Sequence, residues 1–123
     1  MSVIYGVGCD LCEVDRIKSS AERERFLERA FSKEERLRFD GMKNPFMSMA
    51  GAWAAKEAFA KSLGTGVRDF SLDEITVSHD ELGAPFFKFE GNALKAAQGL
   101  KLHLSISHTK NYAQAFCIAC REE

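Results

Sequence analysis

Two acids stand where water is scarce. Asp10 closes the apolar run Val3-Ile-Tyr-Gly-Val-Gly-Cys9, and Glu57 sits inside Met49–Leu63, a segment of small and apolar residues on nearly every side. A helix that is apolar all round is usually buried. A carboxylate carried out of water needs a cation, a metal or a proton. Two acids delivered by two packed elements suit a hard metal, and a hard metal suits phosphate chemistry.

Lys61 follows Glu57 by four residues. The plain alternative is therefore a helix-surface ion pair, worth only ~0.3–0.5 kcal/mol. Against it, Ala50, Ala52, Trp53, Ala54, Ala55, Ala58, Phe59 and Ala60 leave little room for a wet face. Glu57, Lys61 and Gly64 lie along one stripe, a set able to hold a metal-bound diphosphate. His108, in Leu104-Ser-Ile-Ser-His-Thr109, reads in two ways. It is either a hairpin-mouth histidine whose flanking hydroxyls cap the turn, or a phosphate contact or proton carrier, since histidine titrates near neutrality. His79 and His103 have no comparable setting and read as structural.

Cys9-x-x-Cys12 and Cys117-x-x-Cys120 have the spacing of zinc ligands. They keep open a reading from another class, a zinc-stabilised binding module with Glu57 merely structural. Both pairs, however, lie in β-patterned runs, where residues three apart point to opposite faces. The gap between the pairs is also longer than in common zinc modules. The cysteines read better as small buried hydrophobes. Basic residues crowd positions 16–38 with glutamates between them, as on a solvated, salt-bridged face. Arg16 and Arg23 have few acids on their own side, which suits a small patch for an acidic partner.

The positioning elements follow from pattern. Ser2–Val14 is rich in β-formers and predicts a strand. Gly6 and Gly8 share a face with Asp10 and leave room beside the acid for a ligand or another backbone. Arg16–Ala30 predicts a helix with Ile17, Phe26 and Ala30 inward. Ser32-Lys-Glu-Glu35 is a capping-box pattern that starts a second helix through Phe39. Asn44-Pro45 breaks the chain before the apolar helix, which Gly64 ends. Asp73–His79 and Phe86–Glu90 flank the turn Leu82-Gly-Ala-Pro85, Asn92–Gln98 is a short helix, and Leu102–His108 with Tyr112–Cys120 form a second hairpin. Helices early and strands late predict an α+β fold, a mainly antiparallel sheet packed against helices.

Residues 1–123 are expected to form one domain. Apolar content of 46% and charged content of 28% are ordinary for a globular chain. A formal net charge of -1 provides no field for nucleic acid or an anionic membrane. No apolar run is long enough for a membrane helix. The first one is short and ends in Asp10, unlike a secretory leader, so a cytoplasmic location is expected.

Several segments together resemble the holo-[acyl-carrier-protein] synthase family of phosphopantetheinyl transferases. Tyr5–Ile17 is similar to its opening Gly–Asp motif, and Phe26–Glu35 to its next helix pair. Trp53-Ala-Ala-Lys-Glu-Ala-Phe-Ala-Lys-Ser-Leu-Gly-Thr-Gly66 resembles its most diagnostic segment. Leu104–Thr109 with Tyr112-Ala113 resembles its closing motif. The resemblance implies transfer of 4′-phosphopantetheine from coenzyme A to a serine of apo acyl carrier protein in fatty acid biosynthesis, with adenosine 3′,5′-bisphosphate leaving. It also implies a metal site for Mg²⁺ at Asp10 and Glu57, and a diphosphate contact at Lys61. Gly64, Thr65, Gly66, His108 and Thr109 would line the coenzyme A cleft. Asp10, Glu57, Lys61 and His108 are thereby the candidate catalytic set, and Arg16 and Arg23 the carrier-binding pair. The serine's proton is left to Glu57, a metal-bound water or His108.

The resemblance further implies a homotrimer with active sites between protomers. The alanine-rich helix and the sheet agree, since together they present more apolar surface than one small layer covers. Carriers other than the fatty-acid one fit the same reading. One position departs from the pattern. Many members carry Arg before the aromatic residue of the diagnostic segment, where this chain has Ala52, and Lys43 upstream is the candidate replacement at the nucleotide end.

Overall fold

The computed structural model describes residues 1–123. The order of elements is β1 (Ser2–Glu13), α1 (Val14–Ser20), α2 (Glu24–Ala30), α3 (Lys33–Asp40), α4 (Phe46–Ser62), a 3₁₀ turn (Leu72–Glu74), β2 (Ile75–His79), β3 (Pro85–Phe89), α5 (Gly91–Ala97), β4 (Lys101–His108) and β5 (Tyr112–Glu122). One antiparallel sheet runs β1-β5-β4, and β2-β3 is a separate antiparallel hairpin. The α+β expectation holds.

β5 lies between the other two strands of its sheet, so its alternation is strict. Ala113, Ala115, Cys117 and Ala119 are buried on the inner face, opposite Cys12, Asp10, Gly8 and Gly6 of β1. That face carries α4. The outer face holds Val7, Cys9 and Leu11 beside Ile118, Phe116 and Gln114. An irregularity between Ile4 and Gly6 sets Tyr5 outside the ladder.

α4 runs through the middle of the molecule, with eleven of its residues buried. Its far side meets the β2-β3 hairpin through Phe59, whose ring centroid lies 4.9–5.8 Å from those of Phe89, Phe87 and Phe70. Removing such a fully buried ring costs about 3–5 kcal/mol, so Phe59 is an anchor for that hairpin.

Two boundaries depart from the pattern. The helix expected over Arg16–Ala30 is two helices, with Ala21–Arg23 between them and Arg23 extended (φ -99, ψ 119). The break lets Ile17 and Ala30, both buried, reach the core from different directions. The strand expected from Asp73 begins at Ile75, because Ser71 and Glu74 close a capping box around the 3₁₀ turn. The capping box at Ser32 and Glu35 forms as expected, and Gly64 follows α4 with φ 82, the left-handed conformation of a helix stop.

Candidate active site

The site is built where β1 crosses α4 with no side chains between them. A Cβ on Gly6 would lie 2.0 Å from the Ser62 carbonyl oxygen, and one on Gly8 1.9 Å from that of Ala58. Only glycine permits that approach. The space beside the acid is thus filled by another backbone. Two residues on, Asp10 projects from the same face of β1. The Lys61 ammonium donates to Asp10 Oδ1 at 3.1 Å and to the Cys9 carbonyl at 3.0 Å.

Lys61 is therefore held by Asp10 and not by Glu57, and the helix-surface pair does not form. With Lys61 half exposed, the Asp10 contact is worth at most about 1 kcal/mol. Glu57 takes part in none of the ion pairs. Burial raises its pKa, the Asp10 charge raises it further, and Lys61 pulls it back down.

Asp10, Glu57, Arg16 and Arg23 line one cavity of about 420 Å³, walled by Phe26, Trp53 and Tyr112. The Phe26 and Trp53 rings lie 5.6 Å apart. Four of the residues singled out from sequence thus come together. A carboxylate without an ion-pair partner beside a second carboxylate fits a divalent cation. Mg²⁺ takes one or two carboxylates and keeps several waters, and an open, partly polar cavity provides the room. No group of three or more histidine, cysteine or acidic side chains converges to hold a metal.

Of the other residues, the nearest line a neighbouring space that shares Leu11 and Tyr112 with this cavity. His108 and Thr109 line a shallow cavity with Ser107, Leu11, Tyr112 and Gln114. His108 also faces a second space, with Ala52, Arg38 and His79. Basic groups near Ala52 therefore come from Arg38 and His79. Lys43 is exposed and is not among that lining. Gly64, Thr65 and Gly66 follow α4 outside the Asp10–Glu57 cavity, the first two exposed and Gly66 half-buried.

The four cysteines are free. Cys9 is exposed on the outer sheet face, whereas Cys12 and Cys117 are buried on the inner one. Burial is the chief cause that pushes the thiols of Cys12 and Cys117 up to about 11, which leaves them unreactive. The zinc-module reading finds no support in this arrangement.

Residues 6–117 match the model of the 4'-phosphopantetheinyl transferase superfamily. A holo-[acyl-carrier-protein] synthase of Caldanaerobacter subterraneus is 45% identical over 117 residues, 92% of each chain. The chain belongs to the holo-[acyl-carrier-protein] synthase group of that superfamily. Solved members of the group share the fold. The synthase of Neisseria meningitidis aligns with a TM-score of 0.87 at 35% identity, over 98% of this chain and 100% of that one. The synthase of Bacillus anthracis, solved in complex with CoA (3',5'-ADP), aligns with a TM-score of 0.84 at 33% identity, over 97% and 98%. As a phosphopantetheinyl transferase, the chain is an enzyme.

Two features of the site escape a reading by residue type. Phe26 and Trp53 scan as core aromatics, yet they wall the cavity. Lys56, next to Glu57, is wholly buried on Glu35. Its signal was present, a lysine inside an apolar helix, but Glu35 already had a role in the capping box.

Proposed function

We propose that the chain transfers the 4′-phosphopantetheine arm of coenzyme A to a serine of an apo acyl carrier protein, with Asp10 and Glu57 as the ligands of Mg²⁺. The observation that carries the reading is Glu57, without an ion pair, sharing a cavity with Asp10 while Arg16 and Arg23 line the same space. When bound, the ion supplies charge neutralisation to the diphosphate. Transfer at phosphorus needs such neutralisation and in-line positioning more than a potent side-chain nucleophile, and the nucleophile arrives on the carrier.

The chain's own residues then have distinct tasks. Lys61, half exposed on a flexible stem, reaches from Asp10 to a diphosphate oxygen. Phe26 and Trp53 narrow the cavity and keep water from competing with the serine. Glu57 and the His108 of a second copy are the two side chains that could accept the serine proton. Arg16 and Arg23 meet acidic groups of the carrier, an attraction that must be local because the whole chain is close to neutral. Arg38 and His79, beside His108, offset the missing arginine at Ala52 and take the nucleotide end of coenzyme A. Residues 1–123 act as one transferase domain.

The active site is completed between copies in a homotrimer. His108, Thr109 and Gly64–Gly66 lie outside the Asp10–Glu57 cavity of their own chain, and the outer sheet face exposes Ile4, Val7, Leu11 and Phe116. A second copy would bring the one set to the other and cover that face. No helix is long and apolar enough to cross a membrane, which accords with action in the cytoplasm on a diffusing carrier.

Release of adenosine 3′,5′-bisphosphate tests the reading. It should require coenzyme A, an apo carrier with its serine and a divalent ion, stop on chelation and resume on Mg²⁺ addition. Release that persists with a Ser→Ala carrier or in excess chelator would contradict it.

A further inference from the structure

Lys56 is fully buried and has no task in the transfer. Its ammonium donates to Glu35 Oε1 at 2.5 Å, to the Ala30 carbonyl at 2.8 Å and to the Leu72 carbonyl at 3.0 Å. Three N–H groups thus meet three acceptors. Glu35, also fully buried, accepts in addition from the backbone N–H groups of Ser32 and Val77, each at 2.9 Å. The end of α2, the start of α3, the 3₁₀ turn and β2 therefore converge on one residue of α4.

The rest of α4 explains the need for such a fixed point. Ala50, Ala52, Ala54, Ala55, Ala58 and Ala60 are all buried, and alanine gives a helix nearly the same surface at every angle. The alanines themselves resist a turn or slide of α4 little, since one replaces another; Phe59, packed on Phe87 and Phe89, resists it by shape, and Lys56 adds a charge that only one angle and height can satisfy. The contacts of Gly6 and Gly8 bring β1 close to the backbone of α4 at Ala58 and Ser62. Lys56 cannot be exchanged in this way. Moved by one residue, its charge would face hydrocarbon, and an unpaired buried charge costs about 3–5 kcal/mol. Glu57 is the next residue, about 100° further round the helix, and its angle is set by that of Lys56.

We propose that the buried Lys56–Glu35 pair is a positioning device that fixes the rotation and height of α4, so that Glu57 is presented beside Asp10. The inference rests on the reading of Asp10 and Glu57 as metal ligands. It makes Lys56 and Glu35 positioning residues, without contact to substrate.

The test separates stability from positioning. The neutral double variant Lys56→Met/Glu35→Gln removes both charges together, an exchange that is often tolerated in buried pairs. Melting temperature reports stability. Mn²⁺ binding, read from the loss of the free-ion paramagnetic resonance signal with coenzyme A present and no carrier, reports the angle of Glu57. The double variant should regain much of the stability lost in Lys56→Met yet bind Mn²⁺ on the order of 10–100-fold more weakly than wild type. Its kcat should fall with that affinity, while the carrier KM holds. Wild-type Mn²⁺ affinity in the folded double variant would overturn the inference. Should the double variant lack a cooperative melt, Glu35→Gln alone serves, because it keeps a hydrogen bond to Lys56 and loses the charge. It should weaken Mn²⁺ binding in the same direction, and unchanged binding would again overturn the inference. No Mn²⁺ binding by the wild type would contradict the Asp10–Glu57 reading itself, and the positioning role with it.

Discussion

Asp10 and Glu57 differ in how their charges are met. Asp10 has Lys61 at 3.1 Å, and Glu57 has no ion pair. If the two hold one cation, they act as a unit. Each substitution to Ala should cost on the order of 10² or more in kcat, since the ion's charge stabilisation is lost. The double substitution should cost little more than either single one, because members of one catalytic unit are not additive. Steady-state turnover of the four proteins measures this, and additive losses would mean separate roles.

Glu57 also permits a prediction about stability. Its folded pKa is raised, by burial first and by Asp10 next. The folded chain then holds this proton more tightly than the unfolded one. The carboxyl's contribution is most favourable below the usual carboxylate range and is lost as pH rises through the raised value. Metal-free Glu57→Gln should therefore melt above wild type at neutral pH, with the gap closing as pH falls into the carboxylate range. A lower melting temperature at neutral pH would indicate a structural ion pair instead. Glu57 was legible in the sequence because a charge in an apolar helix is conspicuous. The direction of Lys61 was not, because helical spacing names Glu57 as its neighbour, whereas Asp10 is brought near only by packing.

At the scale of elements, the site depends on how closely β1 approaches α4. Gly8→Ala would set a Cβ against backbone atoms, 1.9 Å from the Ala58 oxygen and 2.8 Å from the Ser62 nitrogen. Neither can swing away as a side chain would. A loss of at least ~1–3 kcal/mol is expected, with turnover reduced because Asp10 rides on the displaced strand. Gly41→Ala is the control, since its nearest atom is 3.6 Å away and its φ is -81. Equal denaturation midpoints for the two variants would remove the close approach from the explanation.

Most elements could be read from pattern, and the departures have local causes. Period-two alternation placed Gly6, Gly8 and Asp10 on one face, as found. The split between α1 and α2 was hidden, because Ser19-Ser-Ala-Glu-Arg23 carries no glycine or proline to announce it. There the direction of the chain is set by where Ile17 and Ala30 must be buried. The Lys56–Glu35 pair was hidden for a related reason. It spans 21 residues, and no local spacing points from the one to the other.

For the whole molecule, the question is what covers the outer sheet face. Leu11 is 64% exposed, Val7 53% and Phe116 45%, beside one another on two paired strands. If the homotrimer forms, light scattering at micromolar concentration should give about three times the 13.7 kDa of one chain. Phe116→Glu, on the same face but outside the cavities of the site, should reduce assembly and activity together, because the proposed site draws His108 from another copy. A persistent monomer with full activity would contradict a shared site.

The intact mass of an apo acyl carrier protein, taken after incubation with this chain, coenzyme A and Mg²⁺, tests the transfer most directly. The carrier should gain one 4′-phosphopantetheine on its serine, and Asp10→Asn should leave it unmodified over the same time. An unchanged mass with folded wild-type protein, for a carrier that a known synthase does modify, would contradict the proposed function.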